Sequence, residues 1–286
     1  MWLVGTGSSQ HAAELGALLL AEAGVDARWS GSLEFARFLP KPSPDDGVIV
    51  ISHTARTSFA LAAREVALAS GAEVVSITGI GGGWPEAIET VAIEESETYT
   101  VSVTASLMVL FRLAHELSAP GLSQGDLEAV VERVRTVVEE AEVPILEPPD
   151  RALVLVGSGA GAVTAREGAL KIREAARVLA EGYESEYLLH GFAVPLKLGD
   201  SLLLLGSASD RDGLLPALGA AARAEGLAVA SLDEPSIDHP ILAQLPTVVR
   251  LQLLALSFSR RRRTDPDKAI AGRWADEAMW AIGRPR

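Results

Sequence analysis

Short apolar runs alternate along the chain with amphipathic stretches of helical length. Trp2 to Val4, Val48 to Ile51 and Glu73 to Ile77 are strand-length and rich in Val and Ile. Helical stretches follow the first two, at about Gln10 to Ala23 and Ser58 to Ser70. The second half repeats the scheme with Leu153 to Val156, Leu202 to Leu205 and Ala228 to Leu232. Near-continuous apolar strands between helices predict a parallel sheet covered on both faces, and hence an α/β fold. A further helix is predicted over Ser102 to Leu117 and is broken at Ala119-Pro-Gly. A charged amphipathic helix follows over Leu127 to Glu142, and Pro144 to Pro149 leads into the second half. Beyond Ser259 comes a Thr264-Asp-Pro-Asp turn, then a helical stretch rich in Trp and Ala without a counterpart in the first half.

The halves are related by an internal repeat. At an offset of 152, Leu3, Val4, Gly5 and Gly7 fall on Leu155, Val156, Gly157 and Gly159. Gly16-Ala-Leu falls on Gly168-Ala-Leu, Glu22 on Glu174, and Glu34-Phe35 on Glu186-Tyr187. Further on the offset is 155: Ser52 meets Ser207, Gly71 meets Gly226 and Ser76 meets Ser231. A register sustained over this span marks a duplicated unit. The expected organisation is two similar doubly wound parallel-sheet domains in tandem, at 1–120 and 150–258. A linker helix lies over 121–149 and a tail over 259–286.

Composition narrows the chemistry. The 286 residues include no cysteine, which excludes disulfides, a cysteine nucleophile and thiolate metal sites. The five histidines have no metal-ligand spacing, so no metal and no cofactor is expected. A formal net charge of −13 argues against a nucleic-acid partner. The basic run Arg260 to Arg263 reads as a solvated helix end. No apolar run approaches the ~20 residues that a membrane-crossing helix needs. The N-terminus lacks the pattern of a signal peptide, and a cytoplasmic location is expected.

Ligands of open parallel sheets bind beyond the carboxyl ends of the strands. There the first half offers Ser52-His53-Thr54-Ala55-Arg56-Thr57, hydroxyl-rich and ahead of a helix. This segment reads as a phosphate-holding loop or as an N-capped helix start. The second copy has Ser207-Ala-Ser-Asp210-Arg-Asp212, whose carboxylates would repel a phosphate. The complementary asymmetry is Glu167-Gly-Ala-Leu-Lys171-Ile-Arg-Glu174, with His190 farther on. Lys171 and Glu174 share a helix face, where the first copy has Leu19 and Glu22. A surface ion network and a catalytic pair both fit that spacing. His190 fits a structural as well as a functional role.

These segments resemble the sugar isomerase (SIS) domain family, and in particular the isomerase portion of glucosamine-6-phosphate synthase and its stand-alone relatives. The resemblance covers nearly the whole chain. Glu167 to Glu174 followed by His190-Gly is similar to the family's LEGALKLKE and HGP segments. Ser52, Thr54 and Thr57 match its SxSGxT phosphate loop, and Gly7-Ser8-Ser9 its first strand turn. Departures are Ala55 and Arg56 in place of Gly and Glu, Phe192 in place of proline, and Glu97-Thr-Tyr-Thr100 in place of VAST. In the tail, Asp265-Pro-Asp267-Lys268 stands where the family has a longer pattern with a closing lysine.

The resemblance implies flavodoxin-like three-layer SIS domains and a homodimer acting on a phosphorylated sugar or aminosugar. Ser9, Ser52, His53, Thr54 and Thr57 would hold the 6-phosphate. Glu174 would move a proton between C1 and C2, Lys171 would support the oxyanion, and His190 from a neighbouring subunit would assist ring opening. Thr98, Thr100 and Lys268 are candidate substrate contacts. The expected activity is that of a phosphosugar aldose–ketose isomerase or aminosugar-6-phosphate isomerase/deaminase without glutaminase activity. The alternative is a non-catalytic phosphosugar-binding protein on the same scaffold.

Overall fold

A computed structural model describes residues 1–206, 210 and 212–285. The chain divides into two compact units, Met1–Pro120 with Ile270–Arg286, and Gly121–Ala269. The first contains β1 (Trp2–Gly5), α1 (Ser8–Glu22), β2 (Arg28–Gly31), α2 (Ser32–Arg37), β3 (Gly47–Ile51), α3 (Ser58–Ala69), β4 (Glu73–Ile80), β5 (Ala87–Ala92) and α4 (Val101–Glu116). The second contains α5 (Gln124–Glu139), β6 (Ala152–Gly157), α6 (Ala160–Ala176), β7 (Leu179–Glu184), α7 (Ser185–Tyr187), β8 (Ser201–Leu205), α8 (Leu214–Ala224), β9 (Ala228–Leu232) and α9 (Gln244–Arg262). A π-helical turn at Leu188–Phe192 follows α7. The last residues form a 3-10 turn at Gly272–Ala275 and the one-turn α10 (Glu277–Trp280).

Both sheets are parallel, with orders β2-β1-β3-β4-β5 and β7-β6-β8-β9. Strand alternation divides each core into two layers. In the second unit, Leu153, Leu155, Leu203 and Leu205 pack with α6 and α9 residues such as Ile172, Leu251 and Phe258. Val154, Val156, Leu202 and Leu204 pack on the other face with Leu215 and Leu218 of α8. The first unit places Val4, Val48 and Val50 against Ala60, Ala63 and Ala67 of α3. Burial on both faces explains why these strands read as continuous apolar runs.

The repeat holds at glycines where helices approach closely. A Cβ at Gly16 would lie 2.6 Å from Leu110 of α4, and one at Gly168 would lie 2.5 Å from Leu251 of α9. Helix α9 is thereby the counterpart of α4, an equivalence absent from the sequence repeat. Strand pairing also adjusts the register. Leu3 pairs with Ile49 and Leu155 with Leu203, an offset of 154 on β3 and β8. Ile49 pairs with Val75 and Leu203 with Ala230, restoring 155 on β4 and β9. The Ser52 N–H donates to the Ile77 carbonyl, and the Gly206 N–H donates to the Leu232 carbonyl, both at 3.0 Å. Ser52 therefore corresponds to Gly206 rather than Ser207, because a strand buried on both faces permits no slip. Ser207, Ala208, Ser209 and Arg211 lie outside the described residues.

The observed division also differs from the sequence-based one. The helix expected as a linker over 121–149 is α5, which belongs to the second unit, where Arg133 pairs with Glu142 and Glu234 at 2.7 and 2.9 Å. The last seventeen residues of the expected tail group with the first unit. The Arg260–Arg263 run does end a helix, α9, where cations complement the carbonyl terminus. Among the described residues, no helix is long and apolar enough to cross a membrane.

Candidate active site

In the first unit, the segment after β3 forms a tight loop into α3. Ser52 is buried, and its carbonyl accepts the Ala55 N–H at 3.0 Å. Ala55 takes φ 54°, a left-handed conformation that disfavours a side chain. A glycine there, as the family pattern has, would adopt it without strain. Ala55 tolerates it with its methyl group buried in the α3-side core. The Thr54 hydroxyl accepts the Arg56 N–H at 3.3 Å. Thr57 is the N-cap of α3, yet its side chain makes no cap hydrogen bond. Ser9 stands in the first turn of α1, which starts from Gly7 at φ 59°. Among the described residues, no hydrogen bond is formed by the Ser9, Ser52 or Thr57 hydroxyls.

The start of α8 is different. The Leu214 and Leu215 N–H groups donate to the Asp210 carboxylate at 3.2 to 3.4 Å. A carboxylate of the chain itself thus fills the anion position at that helix terminus.

His53 lies in the loop after β3 and is engaged within the protein. Its Nε2 accepts the Glu94 N–H at 3.0 Å, so a neutral ring carries its proton on Nδ1. Nδ1 is buried without a hydrogen-bond partner. Burial pushes the His53 pKa below the ordinary histidine value, outweighing the raising effect of Glu94. Tyr99 packs edge-on against the ring at 5.5 Å. Glu94 in turn accepts the N–H groups of Thr100, Val101 and Ser102 at 2.8 to 3.0 Å, capping α4. Burial alone would raise the Glu94 pKa, but these hydrogen bonds prevail and lower it. The Thr100 hydroxyl also donates to Glu94, at 3.1 Å, and Thr98 is buried. Sequence reasoning missed Glu94 because a cap formed across an irregular loop has no spacing signature.

Sequence reasoning also missed the return of the chain end to this loop. The Ser58 hydroxyl donates to the Trp280 carbonyl at 2.5 Å, and Arg284 donates to the Arg56 carbonyl at 3.2 Å.

In the second unit, Thr164, Glu167, Lys171 and Glu174 lie on one face of α6, spaced 3, 4 and 3 residues apart. Thr164, Glu167 and Lys171 are each at most 1% exposed. Lys171 Nζ lies 2.5 Å from Glu174 Oε2. The Thr164 hydroxyl is buried without a hydrogen-bond partner. On α1 the equivalent face carries Ala12, Leu15 and Leu19, all buried, before the exposed Glu22. A buried apolar stripe in one copy is thus a buried polar stripe in the other. Burying those groups costs free energy unless each is paired.

His190 is exposed in the π-helical turn, with Nε2 3.3 Å from Glu186 Oε1. Among the described residues, no hydrogen bond or ion pair joins it to the Lys171–Glu174 pair. Lys268 is exposed in the turn after α9, and its carbonyl accepts a hydrogen bond from Arg177. The Thr264 hydroxyl ties this turn to the end of α6 through the Ala175 carbonyl, at 2.7 Å.

No family model matches the chain. The chain is 28% identical over 311 residues to the isomerizing glutamine–fructose-6-phosphate aminotransferase of Gloeobacter violaceus, covering 94% of this chain and 50% of the relative. The chain spans about half the length of the curated relatives it matches. Among solved structures, glucosamine-6-phosphate deaminase from Thermotoga maritima aligns with a TM-score of 0.78 at 20% identity, covering 94% of this chain and 87% of that one. The C-terminal domain of glucosamine-fructose-6-phosphate aminotransferase from Francisella tularensis aligns at 0.70 and 18%, covering 93% and 85%. At such identities the structural likeness is one of fold. The chain is thus similar in sequence to the isomerizing aminotransferases, and shares the fold of the SIS-type phosphosugar isomerases.

Proposed function

We propose that the chain is a phosphosugar aldose–ketose isomerase, or an aminosugar-6-phosphate isomerase or deaminase, built on two SIS domains in tandem. Its substrate is a hexose or hexosamine 6-phosphate. The observation that carries this reading is the buried stripe of α6, with Lys171 Nζ 2.5 Å from Glu174 Oε2 where the first copy is apolar. Relatives named for sugar-phosphate chemistry support it.

In this reading Ser9, Ser52, Thr54 and Thr57 hold the phosphate, and His53 braces the loop through Glu94. Glu174 removes the C2 proton of the open-chain aldose, and the C–H electrons form the C1–C2 double bond of an enediolate. Lys171 stabilises the oxyanion on O1; the C2 hydroxyl proton passes to O1, the C2 oxygen becomes the carbonyl, and Glu174 returns its proton to C1. Thr98 and Thr100 remain candidate contacts, with Thr100 already bonded to Glu94. His190 acts from a neighbouring subunit of a cytoplasmic homodimer. A monomer by light scattering at micromolar concentration refutes that part. With no cysteine in its sequence, the chain is assigned no thiol-dependent amide hydrolysis.

The test is exchange with solvent deuterium of the C2 proton of glucose and glucosamine 6-phosphates and of a C1 proton of fructose 6-phosphate. Wild-type protein exchanges at least one of them. Glu174→Gln binds it within a few-fold and loses about 10²–10⁴ in rate, while Glu22→Gln does neither. The second reading, a binding protein, is favoured by the tail, where Asp265-Pro-Asp267-Lys268 replaces the family's longer pattern and leaves Lys268 out of register with its closing lysine. Tight binding without exchange selects that reading.

A further inference from the structure

The second unit contains a cavity of about 630 Å³ beyond the carboxyl ends of β8 and β9. This is where open parallel sheets bind ligands, and its volume is in the range of small-molecule sites. Its lining is the chemical opposite of the phosphate loop. Among the described residues, Asp210, Asp233, Glu234 and Asp238 line it, with the guanidinium of Arg223.

Two of those carboxylates are already used. Asp210 caps α8, and Glu234 accepts Arg133 at 2.9 and 3.0 Å. Asp233 and Asp238 are exposed, and among the described residues neither side chain forms a hydrogen bond or ion pair. A third acceptor comes from the cavity wall. Gln244 is only 3% exposed, and its Nε2 donates to the Pro240 carbonyl at 2.7 Å. Its Oε1 accepts no hydrogen bond among the described residues. An amide oxygen on the cavity wall without a protein donor is placed to accept one from a ligand.

We propose that this cavity binds a small hydroxylated primary amine in its ammonium form, such as an amino sugar without a phosphate. The ammonium meets Asp233 and Asp238, a hydroxyl donates to Gln244 Oε1, and Arg223 supplies a donor to a ligand oxygen. The apolar part of the wall, with Leu204, Leu215 and Pro240, suits the C–H surface of a sugar ring. Asp233 and Asp238, which no described cation pairs, disfavour a phosphate. The site is independent of the isomerase reading, since it needs neither the phosphate loop nor Glu174.

The experiment titrates the full chain with glucosamine by saturation-transfer NMR and calorimetry, with glucose and inorganic phosphate as controls. Saturable glucosamine binding is expected, with glucose about tenfold weaker and phosphate not competing. Asp233→Asn with Asp238→Asn, both exposed and compatible with folding, weakens glucosamine about tenfold and removes most of its salt dependence. Gln244→Met also weakens it, whereas Ser52→Ala with Thr54→Ala leaves it unchanged. The proposal is overturned by absence of saturable binding up to about 10 mM, by equal binding of glucose, by competition from phosphate, or by undiminished binding in the double Asp variant.

Discussion

Replacing Glu174 by Gln tests the buried pair before any substrate is known. Lys171 is 1% exposed, so its ammonium has given up water almost entirely. Its contact with Glu174 Oε2 at 2.5 Å is charge-assisted, while the Glu174 side chain keeps 19% of its exposure. Glu174→Gln leaves the shape and turns a charged acceptor into a neutral one. The penalty therefore falls on the ammonium. Hydrogen bonds to charged groups contribute about 1.5–3 kcal/mol, and losing one charge of a buried pair sits at the upper end. We expect a loss of about 2 kcal/mol, or roughly 4–8 °C in Tm for a unit of this size. Glu22→Gln, on the exposed equivalent position, should change stability by no more than about 0.5 kcal/mol. Lys171→Met with Glu174→Gln should cost less than the two single changes added, because the two side chains are in direct contact. All five tryptophans lie in the first unit, so urea denaturation followed by far-UV circular dichroism is the appropriate assay. If Glu174→Gln is as mild as Glu22→Gln and the double change is additive, the pair does not stabilise α6 and the argument fails.

Two further outcomes follow from the first unit and its counterpart loop. Ser52→Ala with Thr54→Ala should abolish fructose 6-phosphate binding in calorimetry with the circular dichroism spectrum kept; Asp210→Ala should leave that binding within twofold and lower stability by about 0.5–2 kcal/mol through loss of the α8 cap. His53 should make the first unit acid-sensitive. Its folded pKa is depressed, so the contribution is intact above the unfolded value of about 6.5 and is lost as pH falls from there towards the folded pKa. Tryptophan-monitored denaturation should show that slope, and His53→Gln, which keeps an acceptor for the Glu94 N–H without titrating, should flatten it.

Much of the architecture was written locally. Runs such as Leu202 to Leu205 are apolar at every position because both sheet faces are covered. Gly16 and Gly168 repeat because each seats a leucine of another helix at a distance that admits no Cβ. The asymmetry between Leu19 and Lys171 was equally legible, since a shared offset aligns them. The short strands β2, β5 and β7 were not legible. Arg28–Gly31 and Ala87–Ala92 carry charged or exposed residues, and only pairing with a neighbouring strand makes them strands.

Tertiary structure alone decided three matters. It matched Ser52 with Gly206, because hydrogen-bonded register and not residue likeness fixes equivalence between strands. It tied His53 to Glu94, forty-one positions away, by a backbone donor that no side-chain pattern announces. It returned the chain end to Ser58 through the Trp280 carbonyl, a group that every sequence possesses and none advertises. The sequence determines which groups are available for burial and pairing. Their partners depend on contacts made across distant parts of the chain, and those exist only once the chain has folded.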